Sequence, residues 1–161
     1  MMLLLFSLND DRYGIDVADV VEIMPRLSLQ QVPRSPDYVA GLINYRGQIL
    51  PVVDLSVLIG DHVSRSFLST RIIMVRVSDI DNHYLGLVAE DVTEISKFSD
   101  EEFSHTGISS EASAFLDAVV LDSKGMIQRI NINALVPEDV VSLICSLDED
   151  QVLRGNDING S

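Results

Sequence analysis

The chain has 161 residues, 47% of them hydrophobic, which is enough to bury the core of one domain or of two small intertwined ones. Its formal net charge of −14 disfavours binding to nucleic acids or anionic membranes, because phosphates would meet a repulsive field. The opening run "MMLLLF" lacks the basic flank of a signal peptide, and no apolar run reaches the ~18 residues that span a bilayer.

The first part of the chain predicts strands followed by a proline-rich loop. "MLLLFSL" and "YGIDV" are strands joined by the polar turn "NDDR", whereas "DVADVVEI" fits either a helix or a strand. Pro25, Pro33 and Pro36 then interrupt regular hydrogen bonding. Residues 36–43 predict a short helical turn with Ser35 as its cap.

The remainder predicts more strands and one terminal helix. "QILPVVDL" and "RIIMVRVS" have the length and branching of strands, and Pro51 places the first at an edge, at a bulge or with that amide turned outward. "AFLDAVVLDSKGMIQRININAL" predicts two strands joined by a turn at 123–125. "PEDVVSLICSL" predicts a helix over 137–147, and residues 149–161 a flexible tail.

An internal repeat indicates two related halves. "GIDVADVVEI" at 14–23 aligns without gaps with "GLVAEDVTEI" at 86–95, with five identities in ten positions. At nearly the same offset, "VDL" at 53–55 falls opposite "INI" at 130–132. The chain is therefore expected to consist of two β-rich halves, roughly 1–70 and 71–136.

The sharpest chemical hypothesis is a phospho-accepting receiver domain, in which Asp54 would take a phosphoryl group beside magnesium. The acidic pair in "MLLLFSLNDD" and the aspartate in "ILPVVDL" imitate that pattern. A receiver, however, alternates strands with long amphipathic helices, and here a second strand-like run follows the acidic pair. Lys97 also lies in "EISKFS" and not at the end of an apolar strand.

Other chemistry finds no support in the sequence. His62, His83 and His105 are isolated from any residue at ligand spacing, so each is expected on the surface or in a loop. Cys145 lies on the apolar stripe of the predicted terminal helix and cannot form an internal disulfide, which suits packing in a reducing cytosol. No G-x-S-x-G, G-x-G-x-x-G or P-loop is present. The sequence therefore predicts a binding protein with no metal, no cofactor and no enzymatic activity.

Arg46 is the best candidate for recognition. The polar "NYRG" between "GLI" and "ILPVVDL" predicts a turn in which Gly47 supplies a backbone conformation that other residues resist. Such a turn projects Arg46 outward, and arginine is favoured at protein interfaces for its planar set of donors. The alternative is a solvated turn residue.

At these residues the sequence resembles the CheW-like coupling proteins of bacterial chemosensory systems. The resemblance runs from "FSLNDDRYGIDVADVVEI" through "LGLVAEDVTEI" to "MIQRININALV". Its most specific element is the pattern N-x-R-G-x-x-x-P-x-x-D-L, here Asn44, Arg46, Gly47, Pro51, Asp54 and Leu55.

The resemblance implies a mainly β fold over residues 1–148. Two five-stranded SH3-like barrels would share one apolar core, exchange strands and carry a few short helices. It also implies a non-enzymatic adaptor that links the regulatory domain of a CheA-type histidine kinase to the cytoplasmic tip of methyl-accepting chemoreceptors. Such a protein is expected in the cytoplasm, at receptor clusters, without inserting into the membrane.

The same resemblance implies roles for individual residues. Arg46 becomes an interaction residue, with Asn44 and Gly47 shaping its turn. Val20, Glu22 and Gly41 border the groove that faces the receptor. Asp54 becomes a structural carboxylate at a strand end.

This sequence departs from the family pattern at Tyr45, where leucine is usual, and at Glu90, where aspartate is usual. Three features resemble in particular the coupling proteins of Wsp-type surface-sensing pathways, whose output is cyclic di-GMP. They are the start at Met1 with almost no leader before the first strand, the segment "AGLINYRG" and the segment "STRIIMV". A free-standing SH3-like peptide-binding module is a further alternative. That module predicts an aromatic groove, yet the chain has four tyrosines, five phenylalanines and no tryptophan.

Overall fold

The computed structural model describes residues 1–8, 10–25, 27–60, 70–77, 83–105, 115–138, 140–144 and 146–147. The strands in these ranges are β1 Met2–Leu8, β2 Asp11–Asp16, β3 Val20–Pro25, β4 Val39–Tyr45, β5 Gln48–Asp54, β6 Arg71–Arg76, β7 Tyr84–Ala89, β8 Glu94–Lys97, β9 Ser104–His105, β10 Leu116–Asp122 and β11 Gly125–Ile130. Short helices are α1 Leu55–Gly60 and α2 Ile132–Leu135, with 3-10 turns at Val17–Asp19 and Asp100–Glu102.

The strands form two sheets, so the predicted mainly β fold is confirmed. The first sheet has the order β8-β1-β2-β11-β10-β9, and the second has the order β3-β6-β7-β5-β4. In the first, β1 pairs antiparallel with β2, β2 pairs in parallel with β11, and β11 pairs antiparallel with β10. Strands β6, β7, β5 and β4 repeat this series of pairings.

Both copies of the repeated segment leave one sheet and join the other. β3 follows β2 in the chain but pairs with β6 of the second sheet, whereas β8 follows β7 but pairs with β1 of the first. Neither sheet is therefore made of residues 1–70 or 71–136 alone. The second sheet consists of the consecutive strands β3–β7, so the chain crosses to it once, between β2 and β3, and returns once, between β7 and β8. Each crossing gives one sheet an edge strand from the segment that begins in the other, and we call these two crossings the exchange of edge strands.

A glycine lies opposite the parallel neighbour in each sheet. Gly14 faces Arg129 of β11, and Gly86 faces Val52 of β5. A methyl group on Gly86 would come within 2.9 Å of Val52 Cγ2, and one on Gly14 within 2.9 Å of Leu3 Cδ1. Glycine at the first position of both repeat copies thus permits the close packing of neighbouring strands.

The buried side chains form one shared core and one smaller core within each sheet. The shared core joins residues of the first sheet, such as Phe6 and Ile15, to residues of the second, such as Ile73 and Leu87. Val140 and Ile144, from helical residues near the end of the described chain, pack in the same core. Because each fully buried aliphatic or Phe side chain contributes about 1.5–3 kcal/mol, this shared core holds the two sheets together.

Equivalent residues cap the two short helices. Asp54 ends β5, is 5% exposed, and its Oδ1 accepts a hydrogen bond of 2.9 Å from the Ser56 amide at the start of α1. Asn131 follows β11, and its Oδ1 accepts one of 3.1 Å from the Asn133 amide at the start of α2. These bonds satisfy amides that a helix start leaves unpaired. Asp54 therefore has a structural role in this geometry.

The prediction of a helical turn over residues 36–43 is wrong beyond its first residues. The Val39 amide donates to the Pro36 carbonyl at 3.0 Å, which closes one turn, and β4 then begins. Alternate positions of β4 are buried, and a period of two favours a strand. Ser35 caps no helix, since its hydroxyl donates to the Val32 carbonyl at 2.8 Å.

Pro51 lies inside the second sheet and not at its edge. It pairs with Leu42 of β4, while the pairing of β5 with β7 begins only at Val52. Pairs in an antiparallel ladder alternate between hydrogen-bonded and non-hydrogen-bonded positions, beginning here with the hydrogen-bonded pair Tyr45 and Gln48 at the turn. Pro51 therefore lies in a non-hydrogen-bonded pair, and its nitrogen points away from β4. That nitrogen faces a side that β7 does not yet cover, so the missing N–H costs no ladder hydrogen bond.

Several expectations concern residues outside the described ranges, among them Cys145, His62 and the tail 149–161. Within the described ranges, no helix is long and apolar enough to cross a membrane.

A group of ion pairs fixes the β10–β11 hairpin to β2. Arg12 donates two hydrogen bonds to Asp122, at 2.6 and 2.7 Å. Arg12 Nη2 also lies 3.8 Å from Glu94 Oε1, and Lys124 Nζ lies 3.7 Å from the same oxygen. The hydrogen bonds from Arg12 lower the pKa of Asp122 to about 2.

We expect Asp122→Asn to lower the free energy of unfolding by about 1 kcal/mol at pH 7. Because the pKa of Asp122 is lower in the folded chain than its ordinary value of 3.8, the unfolded chain takes up the proton first as the pH falls. The advantage of the wild type should therefore be complete above about pH 5 and disappear towards pH 2. Urea unfolding at several pH values measures this, with Asp37→Asn on an exposed loop as the charge-matched control. A difference at pH 2 as large as the one at pH 7 would contradict the assignment.

Candidate functional site

The β4–β5 hairpin closes through a two-residue turn made by Arg46 and Gly47. Their φ angles of 52° and 84° are those of a type I′ turn, which matches the twist of paired strands. Asn44 Oδ1 accepts a hydrogen bond of 3.0 Å from the Gly47 amide and so fixes the turn. A residue other than glycine in this left-handed region costs on the order of 1–2 kcal/mol. The turn therefore holds residue 46 in one fixed conformation at the end of the hairpin.

Three side chains meet at the base of this turn. The Tyr45 hydroxyl donates to Glu22 Oε2 of β3, and Arg46 Nη2 lies 3.4 Å from the same oxygen. The Arg46 guanidinium carbon lies 5.1 Å from the centre of the Tyr45 ring. The hydrogen bond to the Glu22 carboxylate raises the pKa of Tyr45, so the phenol remains a donor at neutral pH. Arg46 itself stays in solvent, with 75% of its side chain exposed.

An apolar groove of about 340 Å³ lies along the seam between the sheets. Its lining residues are Leu4, Ile23, Arg71, Val92, Thr93, Glu94 and Ile95. Ile23 of β3 and Ile95 of β8 are 41% and 50% exposed, which is unusual for residues of this size. They occupy the same position in the two copies of the repeat. The exchange of edge strands therefore brings one exposed isoleucine from each copy to a single groove.

The structure brings together four of the six residues that the sequence nominated. Asn44, Arg46 and Gly47 form the turn, and Glu22 reaches it from β3. Val20 instead pairs with Val75 and packs against the shared core, half-buried.

Gly41 lies farther along β4, against the chain at Gln30. Its φ is 151°, and a methyl group there would come within 2.7 Å of the Gln30 carbonyl oxygen. Gln30 and Leu42 exchange backbone hydrogen bonds of 3.0 and 2.8 Å. Gly41 thus permits the loop to lie along β4, and it is not among the residues that line the groove.

Sequence reasoning did not nominate Ile23, Ile95 or the hydroxyl of Tyr45. The repeat alignment already paired Ile23 with Ile95, but an apolar residue in a repeat is more often core, so exposure could not be read from the pattern. The bond between Tyr45 and Glu22 joins residues far apart in the chain, and no local signal predicts it.

The β10–β11 hairpin of the first sheet corresponds to the β4–β5 hairpin of the second, but two apolar residues beside its turn are exposed. Strands β10 and β11 are joined at Ser123 and Lys124, and the flanking Leu121 and Met126 are 67% and 56% exposed. Lys124 approaches Glu94 there, as Arg46 approaches Glu22. Each hairpin thus places a cation near the glutamate of one repeat copy.

The receiver hypothesis for Asp54 does not fit this architecture. Asp54 is buried and caps α1, and its sheet is mixed and strand-rich, with no alternating long helices in the described ranges. Among the described residues no cluster of three or more His, Cys, Asp or Glu side chains could hold a metal ion. An exposed arginine on a fixed turn and an apolar groove are features of a protein–protein interaction module.

Comparison with known proteins identifies the class. A family model described as CheW-like domain matches residues 2–140. A chemotaxis protein CheW of Helicobacter pylori is 31% identical over 74 residues, which are 46% of this chain and 45% of that protein. A probable chemotaxis protein CheW of Rhizobium etli is 29% identical over 142 residues, 84% of this chain and 87% of that protein.

A solved structure agrees with these matches. The scaffolding protein TtCheW from Thermoanaerobacter tengcongensis superimposes with a TM-score of 0.75 at 27% identity, covering 86% of this chain and 89% of that one. The chain therefore belongs to the CheW-like domain family. This is a family of scaffolding proteins and not of enzymes, which confirms the prediction of a non-enzymatic protein in chemotaxis-type signal transduction.

The turn geometry can be tested without any partner. Arg46→Asn and Arg46→Val both remove the guanidinium, but asparagine tolerates a positive φ whereas a β-branched residue resists it. We expect Arg46→Val to be less stable than Arg46→Asn by about 1–2 kcal/mol in urea unfolding. Equal stability of the two variants would show that residue 46 does not need the left-handed conformation.

Proposed function

We propose that this protein is a non-enzymatic adaptor that couples methyl-accepting chemoreceptors to a CheA-type histidine kinase. The observation that carries the proposal is the pair of exposed isoleucines, one from each repeat copy, that meet in one groove beside a hairpin bearing an exposed arginine. Membership of the CheW-like family supports the choice of partners. Such an adaptor works in the cytoplasm, at clusters of membrane receptors.

The groove suits the receptor. The resemblance implies a receptor tip that is a helical hairpin, and an amphipathic helix binds by placing an apolar stripe in a groove. Ile23 and Ile95 would contact that stripe, while Arg71 and Glu94 at the lining would meet its polar flanks. A groove of about 340 Å³ accommodates a few side chains of a helix, not the helix itself.

The hairpin suits a second contact. Arg46 would form hydrogen bonds with the partner, and Asn44 and Gly47 would hold the turn that presents it. Glu22 connects this surface to the groove, because its chain neighbour Ile23 lines the groove. Val20 and Gly41 would act through the placement of β3 and β4. The kinase regulatory domain would pack against this side of the second sheet.

We expect Arg46→Glu to weaken capture of the kinase regulatory domain, the receptor tip or both by at least about 1–2 kcal/mol, as expected of an interface anchor. The free energy of unfolding should stay near that of the wild type, because the side chain is exposed. Calorimetric titration of both isolated partners measures the affinities.

Arg34→Glu is the matched control, since Arg34 is also exposed and also has a positive φ, of 61°. Unchanged affinity of Arg46→Glu for both partners would count decisively against the proposal. Equal losses in both variants would indicate a general charge effect instead of a contact.

We propose further that the pathway is of the Wsp type, with cyclic di-GMP as its output. The segments "AGLINYRG" and "STRIIMV" support this choice.

The expected result is that deleting the gene abolishes the rise in cyclic di-GMP on surface contact and leaves swimming reversals unchanged. A cyclic di-GMP reporter and cell tracking in the same strains measure this. Lost reversals with normal cyclic di-GMP would place the protein in a flagellar pathway and leave the adaptor role intact.

A further inference from the structure

Tyr45 is the residue at the Arg46 hairpin that departs from the family pattern. Tyr45 is 8% exposed and packs in the core of the second sheet. Its hydroxyl leaves that core and donates to Glu22 Oε2 on β3. Tyr45 therefore ties the end of β4 to a carboxylate on another strand.

The Tyr45 hydroxyl and the Arg46 guanidinium compete as donors for the same carboxylate oxygen of Glu22, Oε2. The phenol of Tyr45 donates a charge-assisted hydrogen bond to Glu22 Oε2, whereas Arg46 Nη2 is 3.4 Å away, beyond the range of a strong hydrogen bond. Arg46 is held mainly by lying over the Tyr45 ring, with its guanidinium carbon 5.1 Å from the ring centre. Its remaining donors face solvent.

A residue without a hydroxyl at position 45 would change this balance. Glu22 would then lack its phenol donor, and a two-pronged pair between carboxylate and guanidinium is the stronger arrangement available to it. That pair would occupy the donors that Arg46 now presents to solvent. Arg46 would be present at the surface but engaged within the protein.

We propose that Tyr45 is a positioning residue that keeps Arg46 available to a carboxylate on the partner, by holding the competing carboxylate of Glu22. The ligand class is an aspartate or glutamate side chain, whose two oxygens match the planar guanidinium. The inference rests on the proposed function, because it assumes that Arg46 contacts a partner.

Tyr45→Phe tests this with almost no change of shape. The probes are the isolated kinase regulatory domain and the isolated receptor tip, titrated against the full chain by calorimetry. For each probe whose binding Arg46→Glu weakens, Tyr45→Phe should weaken binding by about fivefold to tenfold, a loss typical of an indirect interface residue. Unchanged affinity would overturn the inference.

The second arm is the combination of Tyr45→Phe with Glu22→Gln. Glutamine removes the competing charge, so the double variant should recover at least the wild-type affinity, and Glu22→Gln alone should bind somewhat more tightly than the wild type. A double variant as weak as Tyr45→Phe would assign Tyr45 a merely structural role and overturn the inference. Weaker binding by Glu22→Gln alone would make Glu22 a direct contact, which also overturns it.

The same variants separate the contact made by Arg46 from the role of Tyr45. If Arg46→Glu binds both probes like the wild type, the proposed contact is wrong. If Arg46→Glu loses affinity and Tyr45→Phe does not, only the role of Tyr45 is wrong. Thermal unfolding of every variant shows that each loss is measured on folded protein.

Discussion

The exchange of the edge strands β3 and β8 is the constraint on which the rest of the structure depends. Each strand continues a repeated segment that begins in one sheet and ends in the other. Both segments start with a glycine, Gly14 and Gly86, and at each of them a neighbouring strand leaves no room for a Cβ atom. The exchange also merges the apolar faces of the two sheets into one core. Each sheet therefore has an edge strand, β3 or β8, whose preceding strand lies in the other sheet.

The proposed interaction surface is a consequence of the same exchange. Because β3 and β8 are edge strands that approach the seam from opposite sheets, Ile23 and Ile95 meet there and remain exposed. The other face of β3 offers Glu22 to the Arg46 hairpin. One edge strand therefore belongs to both the groove and the hairpin site, and this places the two proposed recognition surfaces on adjacent faces of a small protein.

The local features of this fold and the turn at Arg46 could be predicted from the sequence. Hairpins such as β1–β2 and β10–β11 follow from apolar runs around short polar turns, and the turn at Arg46 follows from its glycine. The segment 36–43 was misassigned because Ser35 and Pro36 are helix-start signals, while the decisive signal was the alternating burial of β4. Local signals compete at such places, and tertiary packing decides between them.

What the sequence could not provide is the set of long-range partners. The family resemblance implies exchanged strands and a groove that faces the receptor, but the repeat does not say which edge strands cross between the sheets, so the exposed isoleucines in the groove were not predicted. The contact of Tyr45 with Glu22 likewise depends on the curvature that brings the β4–β5 hairpin to β3. The family resemblance named Arg46 and Glu22 separately, and the structure shows that Arg46 and Tyr45 both approach one carboxylate oxygen of Glu22.

On the proposed function, one molecule holds receptor and kinase at the same time, through adjacent surfaces. A direct measurement immobilises the receptor tip and records capture of the kinase regulatory domain with and without this protein. We expect the kinase domain to be retained only when the protein is present, in a complex with one adaptor for each kinase domain. Displacement of the protein from the receptor by the kinase domain would rule out simultaneous binding, because it would mean that the two partners compete for one surface.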